Sequence, residues 1–252
     1  MLLCIDIGNT QTVLATFERD KIVHSWRIKT DSRSTADELA LSFKGLLAGD
    51  SVQITGVAAC STVPAALREL RTMLTRYYGD VPALIVEPGV RTGVQLAIDN
   101  PKEVGTDRVV NTLAAYHLYG GPAIVVDFGT STNMDVISER GEFLGGAFAP
   151  GIEISIDALA SRAAQLRKVE PVKPRSVIGK NTVECLQSGI VYGFAGQIDG
   201  VVRRMIAELG SVKAVVATGG LAPVVIGECE TVTHHEPMLT LIGLRMVYDK
   251  NS

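Results

Sequence analysis

The sequence of 252 residues has few cysteines, few aromatic residues and no long apolar run. Its four cysteines stand far apart without a C-x-x-C pair, which argues against a disulfide framework and against a cysteine-based metal site. No apolar run approaches the roughly 20 residues that a membrane-spanning helix requires. A formal net charge of −3 argues against a general nucleic-acid binder. The 46% of apolar residues nevertheless suffice for a globular core.

The cysteines and histidines follow no recognisable ligand pattern. Cys4 and Cys60 lie in apolar, strand-like runs, where we expect them to be buried as small hydrophobic side chains. The histidines are scattered, and His234 and His235 fall in a predicted turn before Pro237, so we do not expect a zinc site. The chain opens directly on a predicted strand without a basic leader. We therefore expect no signal peptide and a cytoplasmic protein in a reducing compartment.

A short acidic turn occurs twice, and it is the most informative feature present. The segments Asp6-Ile7-Gly8-Asn9-Thr10 and Asp127-Phe128-Gly129-Thr130 each follow an apolar run and precede a polar/apolar alternation. The two aspartates are 127 − 6 = 121 residues apart, which is about half of the chain. The repeat predicts two similar lobes, residues 1–118 and 119–252.

The residue types in these turns suit a phosphate group. Glycine lets the backbone approach a ligand closely, and successive N–H groups of such a turn form an anion-binding concavity. The aspartate would need a cation, or a water held by one, between its carboxylate and the phosphate. Two such turns facing each other could close on a nucleotide phosphate from two sides, which favours phosphoryl transfer. A single copy would equally suit an ordinary turn.

The first half of the chain is predicted to be β-β-β-α-β-α-β. A capping box from Thr35 to Glu38 opens its first helix, and Pro64 suits the first turn of its second helix. A strand is predicted over 52–60, and a further helix begins near Asp107.

The second half is predicted to repeat the strand, turn, strand, strand order. A long helical pattern over 181–209 then contains glycines at close intervals, which make most sense where two helices or two subunits pack closely. A strand over 212–218 and a last helix from Leu239 complete the chain. The four glycines of the long helix are Gly189, Gly193, Gly196 and Gly200.

Three strands followed by α-β-α, done twice, resemble the α/β fold of actin, the sugar kinases and the heat-shock ATPases. We therefore predict a duplicated actin-like ATPase fold with ribonuclease H-like lobes and a nucleotide in the cleft between the lobes. In that fold the segment 217–220 would approach the nucleoside, although a glycine pair after a strand also suits a plain turn.

A second dense polar motif contains Asp107 and Arg108 at a predicted helix start. The helix dipole and the neighbouring guanidinium both favour an ionised carboxylate there. An ionised aspartate can accept the proton of an alcohol during phosphoryl transfer, and an arginine can grip a substrate carboxylate in a bidentate fork. On local sequence alone, an N-capping aspartate beside a surface arginine is the favoured interpretation.

Taken together, these motifs resemble those of the type III pantothenate kinases over nearly the whole length of the chain. The motifs that carry the resemblance are the two acidic turns, Asn100-Pro101-Lys102-Glu103-Val104-Gly105-Thr106-Asp107-Arg108, Gly145-Gly146-Ala147-Phe148-Ala149-Pro150-Gly151, Gly179-Lys180-Asn181-Thr182 and Ala217-Thr218-Gly219-Gly220.

The resemblance implies ATP-dependent phosphorylation of pantothenate, the first step of coenzyme A synthesis. It implies that Asp107 is the proton acceptor and that Asp127 holds a monovalent cation, K⁺ or NH₄⁺, alongside Mg²⁺ on the nucleotide. It also implies a homodimer. The implied ATP contacts are Asp6, Ile7, Gly8, Asn9, Thr10, Gln11, Thr12, Val13 and Thr130. The implied pantothenate contacts are Ile98, Gly105, Thr106, Asp107, Arg108 and Thr182.

The sequence departs from the family pattern at two places. Ile98 stands where a tyrosine is expected before Asp-Asn-Pro, and Ser131-Thr132-Asn133 stand where Ala-Thr-Thr is expected. These departures leave open a catalytically weak or inactive member with a regulatory role, as a transcription accessory factor. An ATPase or sugar kinase that shares only the fold is a third possibility.

Overall fold

The computed structural model describes residues 1–48, 53–163 and 166–252, and the chain divides into two compact units. The first unit contains Met1–Val94, Asn100–Ala114 and Leu239–Ser252, and the second contains Gln95–Asp99 and Ala115–Met238. This division differs from a single cut after residue 118. The last helix belongs to the first unit, and the short segment Gln95–Asp99 belongs to the second.

The first unit is built on a five-stranded mixed sheet in the order β3-β2-β1-β4-β5. Strand β1 is antiparallel to β2 and parallel to β4. Side chains alternate along these strands, so that Leu3, Ile5 and Ile7 of β1 enter one hydrophobic core with Leu14 of β2. The strands are β1 (Leu2–Ile7), β2 (Gln11–Glu18), β3 (Lys21–Lys29), β4 (Gly56–Ser61) and β5 (Ala83–Ile85).

Two helices of the first unit begin where the sequence predicts. Helix α1 (Ala36–Leu47) has the complete capping box: the Glu38 N–H donates to Thr35 Oγ1 at 3.3 Å, and the Thr35 N–H donates to Glu38 Oε2 at 2.8 Å. Helix α2 (Pro64–Tyr77) begins at the predicted proline. Strand β4 begins at Gly56, later than predicted, and residue 52, where we expected it to begin, lies outside the described residues.

The last helix, α7 (Leu239–Asn251), packs on the first sheet and on α3 (Thr106–Tyr119). Its Gly243 lies so close to α3 that a Cβ there would collide with the Val110 carbonyl. At the start of β4, a Cβ on Gly56 would collide with the ring of Tyr248 in α7. These close approaches explain why the end of the chain belongs to the first unit.

The second unit repeats the architecture around a sheet in the order β8-β7-β6-β9-β10. As in the first sheet, the central strand is antiparallel to the next strand in sequence and parallel to a later one. The predicted turn at His234 and His235 is wrong, because these residues form a short edge strand parallel to β9. The strands are β6 (Ala123–Phe128), β7 (Ser131–Ile137), β8 (Phe143–Pro150), β9 (Ala214–Thr218) and β10 (His234–His235).

The longest helix of the second unit leaves its glycines uncovered by the described chain. Helix α5 (Thr182–Leu209) is capped by the side chain of Asn181. A Cβ added to Gly189, Gly193 or Gly196 would meet no described atom within 4 Å. The sequence offers two explanations for these glycines, close packing of two helices of the chain or of two subunits. No described helix packs against them, so the first explanation does not apply. The shorter helices are α4 (Ile152–Arg162) and α6 (Ala222–Val225).

None of the described helices has both the length and the apolar character needed to cross a membrane.

Candidate functional site

The first acidic turn joins β1 to β2 in the first unit. The Gly8 N–H donates to the Gln11 carbonyl at 3.0 Å and closes the turn. A loop residue after β3 supports it: the Thr30 N–H donates to the Thr10 carbonyl at 2.9 Å, and the Thr30 and Thr12 hydroxyls are 2.8 Å apart. Three strands therefore fix the turn that we expect to bind phosphate.

Asp6 lies one residue before the end of β1 and opposite Cys60 of β4. The Cys60 thiol donates to Asp6 Oδ1 at 3.4 Å. Burial, together with the negative charge of Asp107, raises the pKa of Asp6 to about 7, while the Cys60 hydrogen bond and the charge of Arg27 act in the opposite direction. A carboxylate in this environment favours a proton or a bound cation.

Asp107 stands in the first turn of α3, as the sequence predicts. A Cβ on Gly105 would collide with Asp107 Oδ1, so a larger residue there would displace the carboxylate. Burial raises the pKa of Asp107, and the N–H and charge of Arg108 oppose this effect. Asp107 Oδ1 is buried and has no hydrogen-bond partner among the described residues.

An unpartnered buried carboxylate oxygen is costly unless a ligand satisfies it. The position of Asp107 differs from the N-capping interpretation, because α3 begins at Thr106 and Asp107 therefore lies inside the helix. Its unpartnered oxygen is open to a group of a bound molecule.

The second acidic turn is also closed by a glycine N–H, but it is one residue shorter than the first. The Gly129 N–H donates to the Ser131 carbonyl, two residues on, at 3.1 Å, whereas Gly8 donates to Gln11, three residues on. Asp127 lies one residue before the end of β6, opposite Thr218 of β9. A Cβ on Gly219 would lie only 2.6 Å from Asp127 Oδ1, and the φ of Gly219 is +92°. Both facts require glycine at residue 219, the first of the glycine pair that follows β9.

Two of the departures from the family pattern contact each other. Ser131 Oγ donates to Asn133 Oδ1 at 2.7 Å, and Asn133 is only 8% exposed. The serine that replaces the expected alanine thus supplies a donor for the asparagine that replaces the expected threonine. This hydrogen bond gives the buried Asn133 oxygen a partner within the same strand.

Ile98 belongs to the second unit and lies beside the glycine-rich end of β8. The segment before it pairs with the edge of the sheet, where the Ala97 N–H donates to the Phe143 carbonyl at 2.9 Å. The Ile98 Cγ2 atom would lie 3.6 Å from a Cβ on Gly145, whose φ is +105°. Ile98 therefore packs along the 145–151 motif without the hydroxyl that a tyrosine would bring.

Thr182 is the exposed first residue of α5. The helix start is held by reciprocal hydrogen bonds: the Glu184 N–H donates to Asn181 Oδ1 at 3.0 Å, and the Lys180 N–H donates to Glu184 Oε2 at 2.9 Å. This capping network presents Thr182 at a helix N-terminus, where backbone N–H groups favour an anion.

The predicted site residues are divided between the two units. The first unit brings its turn and Asp107 close enough for their carboxylates to repel each other. Its members are Asp6, Ile7, Gly8, Asn9, Thr10, Gln11, Thr12, Val13, Gly105, Thr106, Asp107 and Arg108. The second unit holds Ile98, Asp127, Thr130 and Thr182.

The sequence did not point to three polar residues near Asp6 and Asp107. The sequence predicts that Cys60 is a buried apolar residue. The parallel pairing of β1 with β4 is what places its thiol next to Asp6. Arg27 reads as one of several exposed strand residues. Asn111 follows Asp107 by one helical turn, and its buried Nδ2 lacks a partner among the described residues. An (i, i+4) polar pair on a helix was the available signal for Asn111.

Solved structures share this architecture at low sequence identity. A Campylobacter jejuni protein assigned to the Baf family of transcriptional activators matches with a TM-score of 0.61 at 18% identity, covering 99% of this chain and 98% of its own. The inorganic polyphosphate/ATP-glucomannokinase of Arthrobacter sp. strain KM matches with a TM-score of 0.55 at 14% identity, covering 100% and 99%. These likenesses, with the repeated sheet order, confirm the duplicated actin-like fold of sugar kinases.

Sequence comparison identifies the family. The type III pantothenate kinase of Salinispora arenicola (strain CNS-205) is 79% identical over 251 residues, covering 100% of both chains. That of Frankia casuarinae (strain DSM 45818 / CECT 9043 / HFP020203 / CcI3) is 66% identical over 251 residues, again covering 100% of both. The family profile described as Type III pantothenate kinase matches residues 2–204. The chain therefore belongs to the type III pantothenate kinase family.

Proposed function

We propose that this chain transfers the γ-phosphoryl group of ATP to the primary hydroxyl of pantothenate, which gives 4′-phosphopantothenate and begins coenzyme A synthesis. The observation that carries the proposal is the buried, unpartnered oxygen of Asp107 beside the Asp6 turn, in a chain 79% identical to a relative named for this activity.

Asp107 is the proton acceptor in this proposal. The pantothenate oxygen attacks the γ-phosphorus, the bond to the β,γ-bridging oxygen breaks, and Asp107 Oδ1 takes the hydroxyl proton. Because burial raises the pKa of Asp107, its carboxylate is a stronger base than an exposed one. Gly105, Thr106, Arg108, Ile98 and Thr182 are the proposed pantothenate contacts, with Arg108 suited to the substrate carboxylate.

The first turn, residues 6–13, together with Thr130, binds ATP in this proposal. Mg²⁺ is usually held by one or two carboxylates together with substrate phosphates. Asp6 suits this role, since a divalent charge would compensate for the burial and for the repulsion from Asp107, which together raise its pKa. When bound, Mg²⁺ would neutralise charge on the phosphates. Asp127 is the proposed holder of K⁺ or NH₄⁺. That the two turns close on one nucleotide stays a prediction.

A coupled assay of ADP release tests the proposed reaction. We expect release to depend on pantothenate and to be faster in potassium or ammonium buffer than in sodium buffer, because the site proposed at Asp127 takes K⁺ or NH₄⁺, which are larger than Na⁺. A panel of sugars in place of pantothenate serves as the control. Pantothenate-independent release, or a sugar that surpasses pantothenate, would contradict the proposal. An absence of product at saturating substrates would favour the inactive, regulatory alternative.

We further propose that the chain forms a homodimer through the uncovered glycine face of α5. Gly189, Gly193 and Gly196 recur at intervals of four and three residues, so they share one side of the helix. Small residues there would let a second helix approach closely. Sedimentation velocity should find a dimer, and Gly193→Leu should shift it towards monomer, whereas Gly45→Leu, at an exposed glycine of helix α1 with equally open space around it, should not. A monomeric wild-type protein would contradict this proposal.

The cytoplasmic location expected from the sequence stays a prediction.

A further inference from the structure

Arg27 shares a row of side chains with Asp6 across the first sheet. In the strand registers Asp6 is paired with Val13, and Val13 is paired with Arg27. Paired residues on neighbouring strands point to the same face of a sheet. The Cα atoms of Asp6 and Arg27 are therefore about 10 Å apart, across two strand spacings, with their side chains on one face.

The Arg27 guanidinium extends along this face towards the phosphate turn. Its Nη1 donates to Gln11 Oε1 at 3.0 Å, and Gln11 begins β2 directly after the turn. The charge of Arg27 also acts on Asp6, against the larger effects of burial and Asp107. One donor of the guanidinium is thus anchored beside the turn, and a guanidinium has five donors in a fixed fork.

Arg27 is exposed and has no carboxylate counter-ion among the described residues. The ion pairs of the described chain involve other cations, such as Arg71 with Glu87 and Arg76 with Asp37. On β3 itself, the charge of the neighbouring Lys29 acts on Asp31 beyond the strand. A cation without a counter-ion, held by a neutral amide at the edge of an anion-binding turn, is suited to an anionic ligand.

We propose that Arg27 is a further ATP-binding residue, which donates from its free guanidinium nitrogens to the polyphosphate of the nucleotide bound at the Asp6–Val13 turn. This inference rests on the proposed function for the identity of the nucleotide. In this proposal the Gln11 amide positions the guanidinium. Asp6 and Arg27 carry opposite charges along one row of the sheet: Asp6 faces the cation, and Arg27 faces the phosphates.

Binding measurements on the full chain test this role. With Mg²⁺ present, isothermal titration should show that Arg27→Gln weakens ATP about tenfold or more, the usual worth of a hydrogen bond between charged groups. AMP, which lacks the outer phosphates, should change less than about twofold. Arg27→Lys should recover part of the ATP affinity, because lysine offers a charge without the fork. In turnover, the KM for ATP should rise while the KM for pantothenate stays constant.

Lys21→Gln is the matched control. Lys21 is an exposed cation at the opposite end of the same strand, about 20 Å away along six residues. The inference is overturned if Lys21→Gln weakens ATP as much as Arg27→Gln does, if Arg27→Gln binds ATP like the wild type, or if ATP and AMP weaken equally.

The binding readout separates this inference from the proposed reaction. A wild-type chain that binds ATP but makes no 4′-phosphopantothenate would refute the reaction and leave the Arg27 result valid. A wild-type chain that makes product, with an Arg27→Gln variant of unchanged ATP affinity, would refute the Arg27 role alone.

Discussion

Replacing Asp107 with asparagine is expected to lower kcat about 10²–10⁴-fold, the usual worth of general acid–base catalysis. Asparagine keeps the size of the side chain but cannot accept the hydroxyl proton. The KM values for ATP and pantothenate should change little, because the turn and Arg108 remain. Steady-state kinetics with the purified variant and circular dichroism of its fold give the measurement.

Asp20→Asn provides the control for this experiment. Asp20 lies exposed in the hairpin between β2 and β3, away from the start of α3, and its replacement should leave kcat unchanged. Full activity of the Asp107 variant would show that another group accepts the proton. A rise in the pantothenate KM with constant kcat would instead make Asp107 a binding residue only.

Replacing Asp6 with asparagine is expected to stabilise the protein above neutral pH while it abolishes turnover. The pKa of Asp6 is raised from 3.8 to about 7 by burial and by Asp107. The folded state therefore binds more protons than the unfolded state between these values, and the stability of the wild type falls as pH rises from about 4 to about 7. Asparagine has no charge to bury, so the stability of the variant should not fall over this pH range.

The size of the effect follows from linkage. A shift of about three units corresponds to roughly 4 kcal/mol of unfolding free energy, so we expect the variant to gain a few kcal/mol at pH 8 and almost nothing at pH 4. Urea denaturation at both pH values measures this difference. Asp80→Asn, at an exposed loop position after α2, should show no such pH-dependent gain. Equal stability of wild type and Asp6→Asn at pH 8 would mean that the Asp6 carboxylate is not destabilised.

Local rules made much of the fold predictable. The capping box at Thr35, the proline at residue 64 and the strand–turn–strand repeats depend on neighbouring residues, and each lies where the sequence predicts. The place of α7 depends instead on the contact of Gly243 with Val110, more than 100 residues earlier in the chain. No pattern of neighbouring residues predicts such a contact, so the sequence alone could not assign the last helix to the first unit.

The candidate site was predictable in part for the same reason. Motif residues such as Asp107 could be identified because turns and helix starts have compact signatures. Cys60 lies on the strand next to Asp6 because β4 flanks β1 on one side. Arg27 shares a row of side chains with Asp6, two strands away, because β2 and β3 follow β1 on the other side. The mutual hydrogen bond of Ser131 and Asn133 was equally hidden, since two separate departures from a family pattern do not reveal that they compensate each other.

The shared sheet order makes each half of the molecule an internal reference for the other. Gly8 and Gly129 each follow a strand with an acid near its end and each donate the hydrogen bond that closes the turn, to Gln11 and to Ser131, although the second turn is one residue shorter. Cys60 and Thr218 also occupy matching places, opposite Asp6 and Asp127, yet differ in chemistry. The two halves therefore share the glycine that closes each turn, and they differ in the side chain that faces each acid.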